Sequence, residues 1–143
     1  MPECLFCRIA AGSIPAHIVH EDDLVVAFLD IGPIRPGHTQ IIPREHFDYF
    51  EDLPDGIASR ILQIGQRLAK SMKALYGVDR VGFLFTGGDI AHAHAHVVPM
   101  HEPTDITSRR YITNAEVNFA ALPQPDAEEM RTVAEQLRDA LRR

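Results

Sequence analysis

The sequence predicts an α+β fold, in which an antiparallel sheet of five strands packs against one long central helix and a C-terminal helix. Short apolar segments separated by turn residues recur in the first third of the chain and again after residue 80. Apolar residues recur at helical spacing between residues 57 and 75 and again near the C-terminus. Strands that follow one another through turns favour antiparallel pairing. The 143 residues are enough for one core, so we expect a single domain over residues 1–143.

Three strands are predicted before residue 45, over residues 17–20, 24–30 and 38–42. The acidic residues 21–23 form the turn between the first two, and the Gly- and Pro-rich residues 32–37 form a rigid loop before the third. The second strand contains an unbroken apolar run, which is typical of a strand at the centre of a sheet.

The long helix follows the third strand. We expect Asp52 or Asp55 to cap it, Pro54 to lie in its first turn and Gly77 to end it. Its core-facing residues keep a helical period. They are Ile57, Ile61, Ile64, Leu68, Met72 and Leu75.

The C-terminal helix is expected to start at Asp126, with Glu129 completing a capping box. Its apolar stripe consists of Met130, Val133, Leu137 and Leu141. Residues 104–124, which precede it, show no clear period and are expected to form an extended surface segment.

The fourth strand is predicted over residues 82–86, and a Gly-Gly turn leads from it to a fifth strand that carries histidines at every second position. Successive side chains of a strand point to opposite faces, so His92, His94 and His96 are expected to form a row on one face. Small apolar residues at the alternate positions would then face a helix.

Composition and charge exclude several classes of protein. The net charge of -6 gives no general attraction to nucleic acid or to an anionic membrane. The apolar runs are too short to span a bilayer, and the N-terminus lacks the pattern of a secretion signal. We therefore expect a cytoplasmic protein that binds neither nucleic acid nor membrane.

The histidine row favours phosphorus chemistry. A neutral imidazole can attack an electrophilic phosphorus and form a covalent phospho-histidine, and a neighbouring imidazole can donate a proton or hydrogen bond to the phosphate or the leaving group. The alternative is a set of surface imidazoles on a polar sheet face, which three consecutive histidines on one face disfavour.

Cys4 and Cys7 have the spacing of half a tetrahedral zinc site. Histidine is the expected source of the other two ligands, and His46 and His92 are candidates. A reduced buried pair and a redox-active pair are the alternatives. The redox interpretation needs a preceding strand, for which residues 1–3 are too few.

Five segments together resemble the histidine-triad (HIT) superfamily of nucleotide hydrolases and transferases. They are residues 4–9, 12–15, 27–31, 36–46 and 92–99, and they occur in the family's order. The resemblance implies a five-stranded antiparallel α+β fold, a homodimer and a purine nucleotide substrate.

The resemblance also implies a role for each matching residue. His94 corresponds to the nucleophile that attacks the α-phosphorus, and His96 to the residue that bonds the scissile phosphate or leaving group. Asp30 corresponds to the carboxylate that binds the ribose. The other substrate-binding positions are Phe28, Leu29 and Ile31 around the base, His38 near the nucleophile and Thr86 at the phosphate. The zinc ligands of the family correspond to Cys4, Cys7, His46 and His92, with a structural role.

The chain departs from the family pattern before the triad. Thr86 stands where many members have Asn, and residues 87–91 form a short loop without the usual Gln or Ser. Three functions therefore compete: a hydrolase of nucleoside phosphoramidates or dinucleoside polyphosphates, a nucleotide-binding protein with weak or no turnover, and an enzyme whose triad binds a catalytic metal. A cupin-like metal site is disfavoured, because His94, His96 and Glu102 are too widely spaced and that fold has more strands and no long central helix.

Overall fold

The computed structural model describes residues 4–88, 90–106 and 124–143. Its helices are α1 (Leu5–Ala10), α2 (Asp55–Tyr76) and α3 (Ala127–Leu141). Its strands are β1 (Ile18–Glu21), β2 (Val25–Leu29), β3 (Thr39–Pro43), β4 (Arg80–Phe85) and β5 (Ala95–Met100). The strands form one antiparallel sheet in the order β1-β2-β3-β5-β4, which confirms the predicted α+β fold. Among the described residues, no helix combines the length and hydropathy needed to cross a membrane.

The larger core lies between the helices α2 and α3 and one face of the sheet. We call this face of the sheet the helix face. Alternate strand residues such as Ala27, Ile41 and Val97 point into it. The intervening residues, including Val26 and Phe28, pack against α1 on the opposite face. Because α1 is only six residues long, it covers this second face only in part and leaves space above the sheet.

Helix α2 follows the predicted apolar period but not the predicted start. Pro54 is the N-cap residue, without a side-chain capping bond, and Asp55 is the first helical residue. Asp52 instead ends a short 3-10 turn (Phe50–Asp52), where its carboxylate accepts a hydrogen bond from the Tyr49 amide. The predicted end is confirmed, because Gly77 adopts the left-handed conformation (φ 64°) that ends the helix.

The apolar stripes of α2 and α3 are confirmed except at Leu75, which is 40% exposed and lies outside the core. Val133 is half-buried and packs against the core, beside the buried Ala134. Asp126 caps α3 as predicted, since its carboxylate accepts a hydrogen bond from the Glu129 amide. Most of the segment predicted as extended, residues 107–123, lies outside the described residues.

The histidine segment differs most from its prediction. Strand β5 begins only at Ala95, so His92 and His94 precede the strand instead of forming part of it. The His92 amide donates to the Ile90 carbonyl in a tight turn, and the Ala93 amide donates to the Phe47 carbonyl outside the sheet. Local turn bonds therefore replace ladder pairing at the first two imidazoles, and His96 is the triad residue within β5.

Candidate functional site

The two cysteines and two of the histidines converge at the start of the chain. Cys4 caps the N-terminus of α1 and Cys7 lies in its first turn, while His46 follows β3 and His92 precedes β5. One ligand atom from each of the four residues lies within 4.8 Å of all the others. The structure therefore brings together the four residues that the sequence selected as zinc ligands.

The distances within this group match a tetrahedral zinc site. The Nδ1 atom of His92 lies 3.4 Å from Cys4 Sγ and 3.5 Å from Cys7 Sγ, and His46 Nδ1 lies 3.2 Å from Cys7 Sγ. With Zn–S near 2.3 Å and Zn–N near 2.0 Å, a tetrahedron separates its sulfur and nitrogen ligands by about 3.5 Å. The four side chains thus need little movement to bind the ion.

Hydrogen bonds behind both histidines orient them for metal binding. His92 Nε2 donates to the Pro43 carbonyl at 2.9 Å, which leaves Nδ1 as the ligand atom. His46 Nε2 lies 2.8 Å from the Asp48 carboxylate, which has the same effect. Burial, together with the neighbouring Cys4, raises the pKa of Cys7. A bound cation would therefore be needed to stabilise both cysteines as thiolates.

One hydrogen bond determines the tautomer of His94. Its Nδ1 lies 2.8 Å from the His92 carbonyl oxygen, which can only accept, so Nδ1 carries the proton. The lone pair is then on Nε2, as a nucleophile requires. The ring is 6% exposed and lies edge-on between Phe6 and His96, with centroid separations of 5.1 Å to each.

A chain of hydrogen bonds fixes the protonation of His96. The Ile34 amide donates to His38 Nδ1 at 3.1 Å, so neutral His38 carries its proton on Nε2. That nitrogen lies 2.9 Å from His96 Nδ1, to which it donates. His96 therefore carries its own proton on Nε2. Its ring centroid lies 5.1 Å from that of His94, so it can donate a hydrogen bond to a phosphate or a leaving group bound at both rings.

Asp30 lies beside the hydrogen bonds that link His38 to His96. Its two carboxylate oxygens accept from the Gly32 amide and from Gln40 Nε2, each at 2.8 Å, and His38 Nε2 lies 3.7 Å away. Burial lowers the pKa of His38 to about 4, although the charge of Asp30 opposes the effect and His96 adds to it. His38 is therefore neutral near pH 7, as the donor chain requires.

An apolar cleft of about 530 Å³ lies over the second face, between α1 and the end of β2. Phe6 and Phe28 form its floor, and Asp30 and Gln40 are at its polar end. Ile31, one of the predicted base contacts, lines the cleft and is 81% exposed. The cleft has the apolar lining and few polar groups of a small-molecule site.

Leu29, another predicted base contact, also lines the cleft. Its side chain is 3% exposed and packs in the core on the helix face, opposite Phe28, because adjacent strand residues point to opposite faces. Contact of either residue with a base stays a prediction.

A second cavity, of about 260 Å³, borders His94 on the side of β4, and we call it the acidic pocket. Thr86 lines it, directly after the end of β4. Asp48 and Glu51 are its charged residues, and no Lys or Arg within the described ranges 4–88, 90–106 and 124–143 lines it. His94 is thus placed at the boundary between this pocket and the aromatic floor of the apolar cleft.

Three contributors to the site were missed by the sequence analysis. Phe6 packs edge-on against both His92 and His94, but an apolar residue in a short helix gives no signal of this role. Asp48 supports His46, and its signal was a carboxylate two residues after a metal-binding histidine. Gln40 supports Asp30, and its signal was a polar residue in an otherwise apolar strand.

Comparison with known proteins decides the family. The model of the HIT domain matches residues 11–103. The chain belongs to the HIT domain family. An uncharacterized HIT-like protein of Methanocaldococcus jannaschii is 34% identical over 69% of the chain and 80% of that protein. The adenosine 5′-monophosphoramidase of Saccharomyces cerevisiae is 36% identical over 69% of the chain and 63% of its own length.

One solved relative shares the HIT fold and is zinc-bound. The zinc-bound histidine triad protein of Mycobacterium smegmatis superimposes with a TM-score of 0.76 at 27% identity, covering 99% of the chain and 94% of that protein. A zinc ion in this relative is consistent with the Cys4, Cys7, His46 and His92 cluster. In this HIT domain the predicted catalytic, ribose-binding and metal-binding residues are contiguous on one side of the sheet.

Proposed function

We propose that the protein is a nucleotide hydrolase or transferase that cleaves a nucleoside phosphoramidate or dinucleoside polyphosphate at the α-phosphorus, through a covalent nucleotidyl-His94 intermediate. The observation that carries the proposal is the complementary protonation of two adjacent imidazoles. His94 has a lone pair on Nε2, and His96 has a proton on Nε2. One can attack the phosphorus while the other assists the departing group.

The reaction would proceed in two displacements. His94 Nε2 forms a bond to the α-phosphorus as the bond to the leaving group breaks with its electron pair. A leaving nitrogen that is protonated from solvent before the attack departs as a neutral amine, while His96 Nε2–H donates a hydrogen bond to the phosphate or the leaving group. Water then attacks the phosphorus and loses a proton to solvent, and the P–N bond to His94 breaks with its electron pair to release the nucleoside monophosphate and restore the neutral ring. The Nδ1 bond to the His92 carbonyl keeps the ring of His94 in the same orientation in both steps.

The proposal includes a structural zinc ion bound by Cys4, Cys7, His46 and His92. Four protein ligands complete a tetrahedron and leave no coordination position for substrate. The ion would connect α1 to the start of the triad segment, because Cys4 and Cys7 belong to the first and His92 to the second. It would thereby hold Phe6 and the His92 carbonyl in the positions that orient His94.

A triad that binds one catalytic metal receives no support. Among the described residues, the groups that could hold an ion place His92 with the cysteines and His96 with Asp30 and His38. The remaining alternative, a nucleotide-binding protein with weak or no turnover, is favoured by the short loop of residues 87–91. Measured turnover decides between that alternative and the hydrolase.

Of the two substrate classes, the acidic pocket favours the phosphoramidate. Asp48 and Glu51 would repel the polyanionic leaving group of a dinucleoside polyphosphate, whereas they would attract a protonated amine. Adenosine and guanosine phosphoramidates, sulfates and polyphosphates should therefore be compared by chromatographic measurement of the nucleoside monophosphate released. We expect the highest kcat/KM for a phosphoramidate and no turnover by His94→Ala. Turnover of no substrate by the wild-type protein would support the binding-only alternative.

The proposal also includes a homodimer and a cytoplasmic location. Strand β4 is at the edge of the sheet, and the exposed fractions of Phe50, Leu62 and Phe83 are 58%, 49% and 37%. Edge strands and exposed apolar residues are common at protein interfaces. Sedimentation equilibrium should give twice the 16.0 kDa chain mass. A reducing compartment suits two cysteines that form no disulfide and serve as zinc ligands.

A further inference from the structure

Gln40 carries a buried acceptor that no described residue satisfies. Its Nε2 donates to the Asp30 carboxylate at 2.8 Å, whereas its Oε1 is buried and accepts no hydrogen bond from the described residues. The two ends of the amide are not interchangeable, because a carboxylate only accepts and must therefore face the NH₂ group. A buried acceptor without a donor has lost its hydrogen bonds to water and gained none in return, which destabilises the ligand-free state.

The position of Gln40 in the sheet indicates which part of a ligand would reach it. Gln40 is paired with Phe28 on one side and with His96 on the other, so the three side chains form a row on the second face. Neighbouring strands are about 4.8 Å apart, which places Gln40 midway across a span of about 10 Å. A nucleotide with its base on Phe28 and its phosphate at His96 would therefore place its ribose over Gln40.

We propose that Gln40 is a specificity-determining residue, whose Oε1 accepts a hydrogen bond from one hydroxyl of the substrate's ribose while Asp30 binds the other. The inference rests on the proposed function, because it takes a nucleotide as the ligand. The two acceptors are adjacent and held together by their own hydrogen bond, so they form a preorganised pair for a vicinal diol. A ribonucleotide satisfies the orphaned acceptor, and a deoxynucleotide leaves it unpaired.

The side chain of Gln40 has the freedom that this role needs. The residue is half-buried and lines the apolar cleft together with Asp30, although Oε1 itself is covered by its neighbours. The last torsion of a glutamine side chain has a broad minimum, so a small rotation turns Oε1 toward the cleft while Nε2 stays near Asp30. Ribose binding and this rotation would occur together.

The test compares the binding of AMP, 2′-deoxy-AMP and 3′-deoxy-AMP by isothermal titration calorimetry, with wild-type protein and Gln40→Met. Met has a similar length, no donor and only a weakly accepting sulfur. A thermal melt of each variant checks that it is folded. For the wild-type protein we expect each deoxynucleotide to bind about 3- to 10-fold more weakly than AMP. In Gln40→Met the penalty should disappear for one of the two deoxynucleotides and remain for the other. Gln66→Met, on the exposed side of α2, is the matched control and should keep the wild-type ratios.

Two results would overturn the inference and leave nucleotide binding in place. One is equal affinity of the wild-type protein for all three nucleotides, and the other is an unchanged pair of deoxynucleotide penalties in folded Gln40→Met. If the wild-type protein binds none of the three, the proposed function fails, and the role of Gln40 fails with it. The binding measurement does not depend on turnover, so a catalytically weak protein is tested equally well.

Discussion

The buried His38 should make the protein lose stability in mild acid. Its ring is 3% exposed, accepts a hydrogen bond from the Ile34 amide and donates to His96. Protonation would place a charge in this buried position and remove the acceptor that the amide needs. We therefore expect His38→Gln, which has no titrating group, to flatten the dependence of stability on pH between 7 and 5.

The magnitude follows from the pKa of His38, which burial lowers from 6.5 to about 4. Because its pKa is depressed in the folded protein, His38 binds a proton first in the unfolded chain as the pH falls. Its contribution to the free energy of unfolding is therefore complete above pH 6.5 and is lost as pH falls toward 4. Each pKa unit corresponds to about 1.4 kcal/mol, which gives a total near 3 kcal/mol. About 2 kcal/mol of this should already be lost at pH 5.

Urea unfolding at pH 7 and pH 5 measures the effect, since extrapolation to zero denaturant gives the free energy of unfolding at each pH. The decrease in wild-type stability between the two pH values should exceed that of His38→Gln by about 2 kcal/mol. His101→Gln, an exposed histidine outside the site, should behave like wild type. Equal decreases in wild type and His38→Gln, or an NMR titration of His38 near pH 6.5, would refute the reasoning.

Two further predictions concern the metal and the ribose. Elemental analysis of the wild-type protein should give about one zinc ion per chain, and Cys4→Ser should lower that content. The melting temperature of Cys4→Ser should also fall, because the ion would connect α1 to the triad segment. Metal-free wild-type protein of equal stability would contradict this. Asp30→Asn should weaken the binding of AMP by about 10-fold or more, and that of 2′,3′-dideoxy-AMP much less, because charged hydrogen bonds to the hydroxyls are lost. Equal losses for both ligands, or the same pattern in the exposed Asp79→Asn, would argue against the ribose assignment.

The fold and the metal cluster could be predicted from sequence because they depend on local periodicity and on spacing. The apolar periods of α2 and α3 specify their buried sides, and the run from Val25 to Leu29 is a central strand of the sheet. The Cys4 and Cys7 spacing selects a tetrahedral ion, and His92 is close to it because the turn after Ile90 brings the chain back to α1. The spacing of the two cysteines is local, whereas His46 and His92 are distant in sequence and could be named only from their residue type and the family resemblance.

The parts that were mispredicted or missed depend on tertiary contacts. The start of β5 at Ala95 is set by hydrogen bonds to Ile90 and Phe47, which alternation in the sequence cannot reveal. The protonation of His96 depends on the Ile34 amide, a backbone group that any residue would supply. The unsatisfied oxygen of Gln40 is likewise visible only when its neighbours are in place.

The covalent intermediate on His94 is the central claim, and trapping it is the most direct test. The protein should be mixed rapidly with an adenosine phosphoramidate, quenched within milliseconds under conditions that preserve P–N bonds, digested and sequenced by mass spectrometry. We expect an adenylyl group on His94 in the wild-type protein and none in His94→Ala, which should retain its zinc. An adduct on another residue, full turnover by His94→Ala, or fast turnover without any adduct would contradict the mechanism.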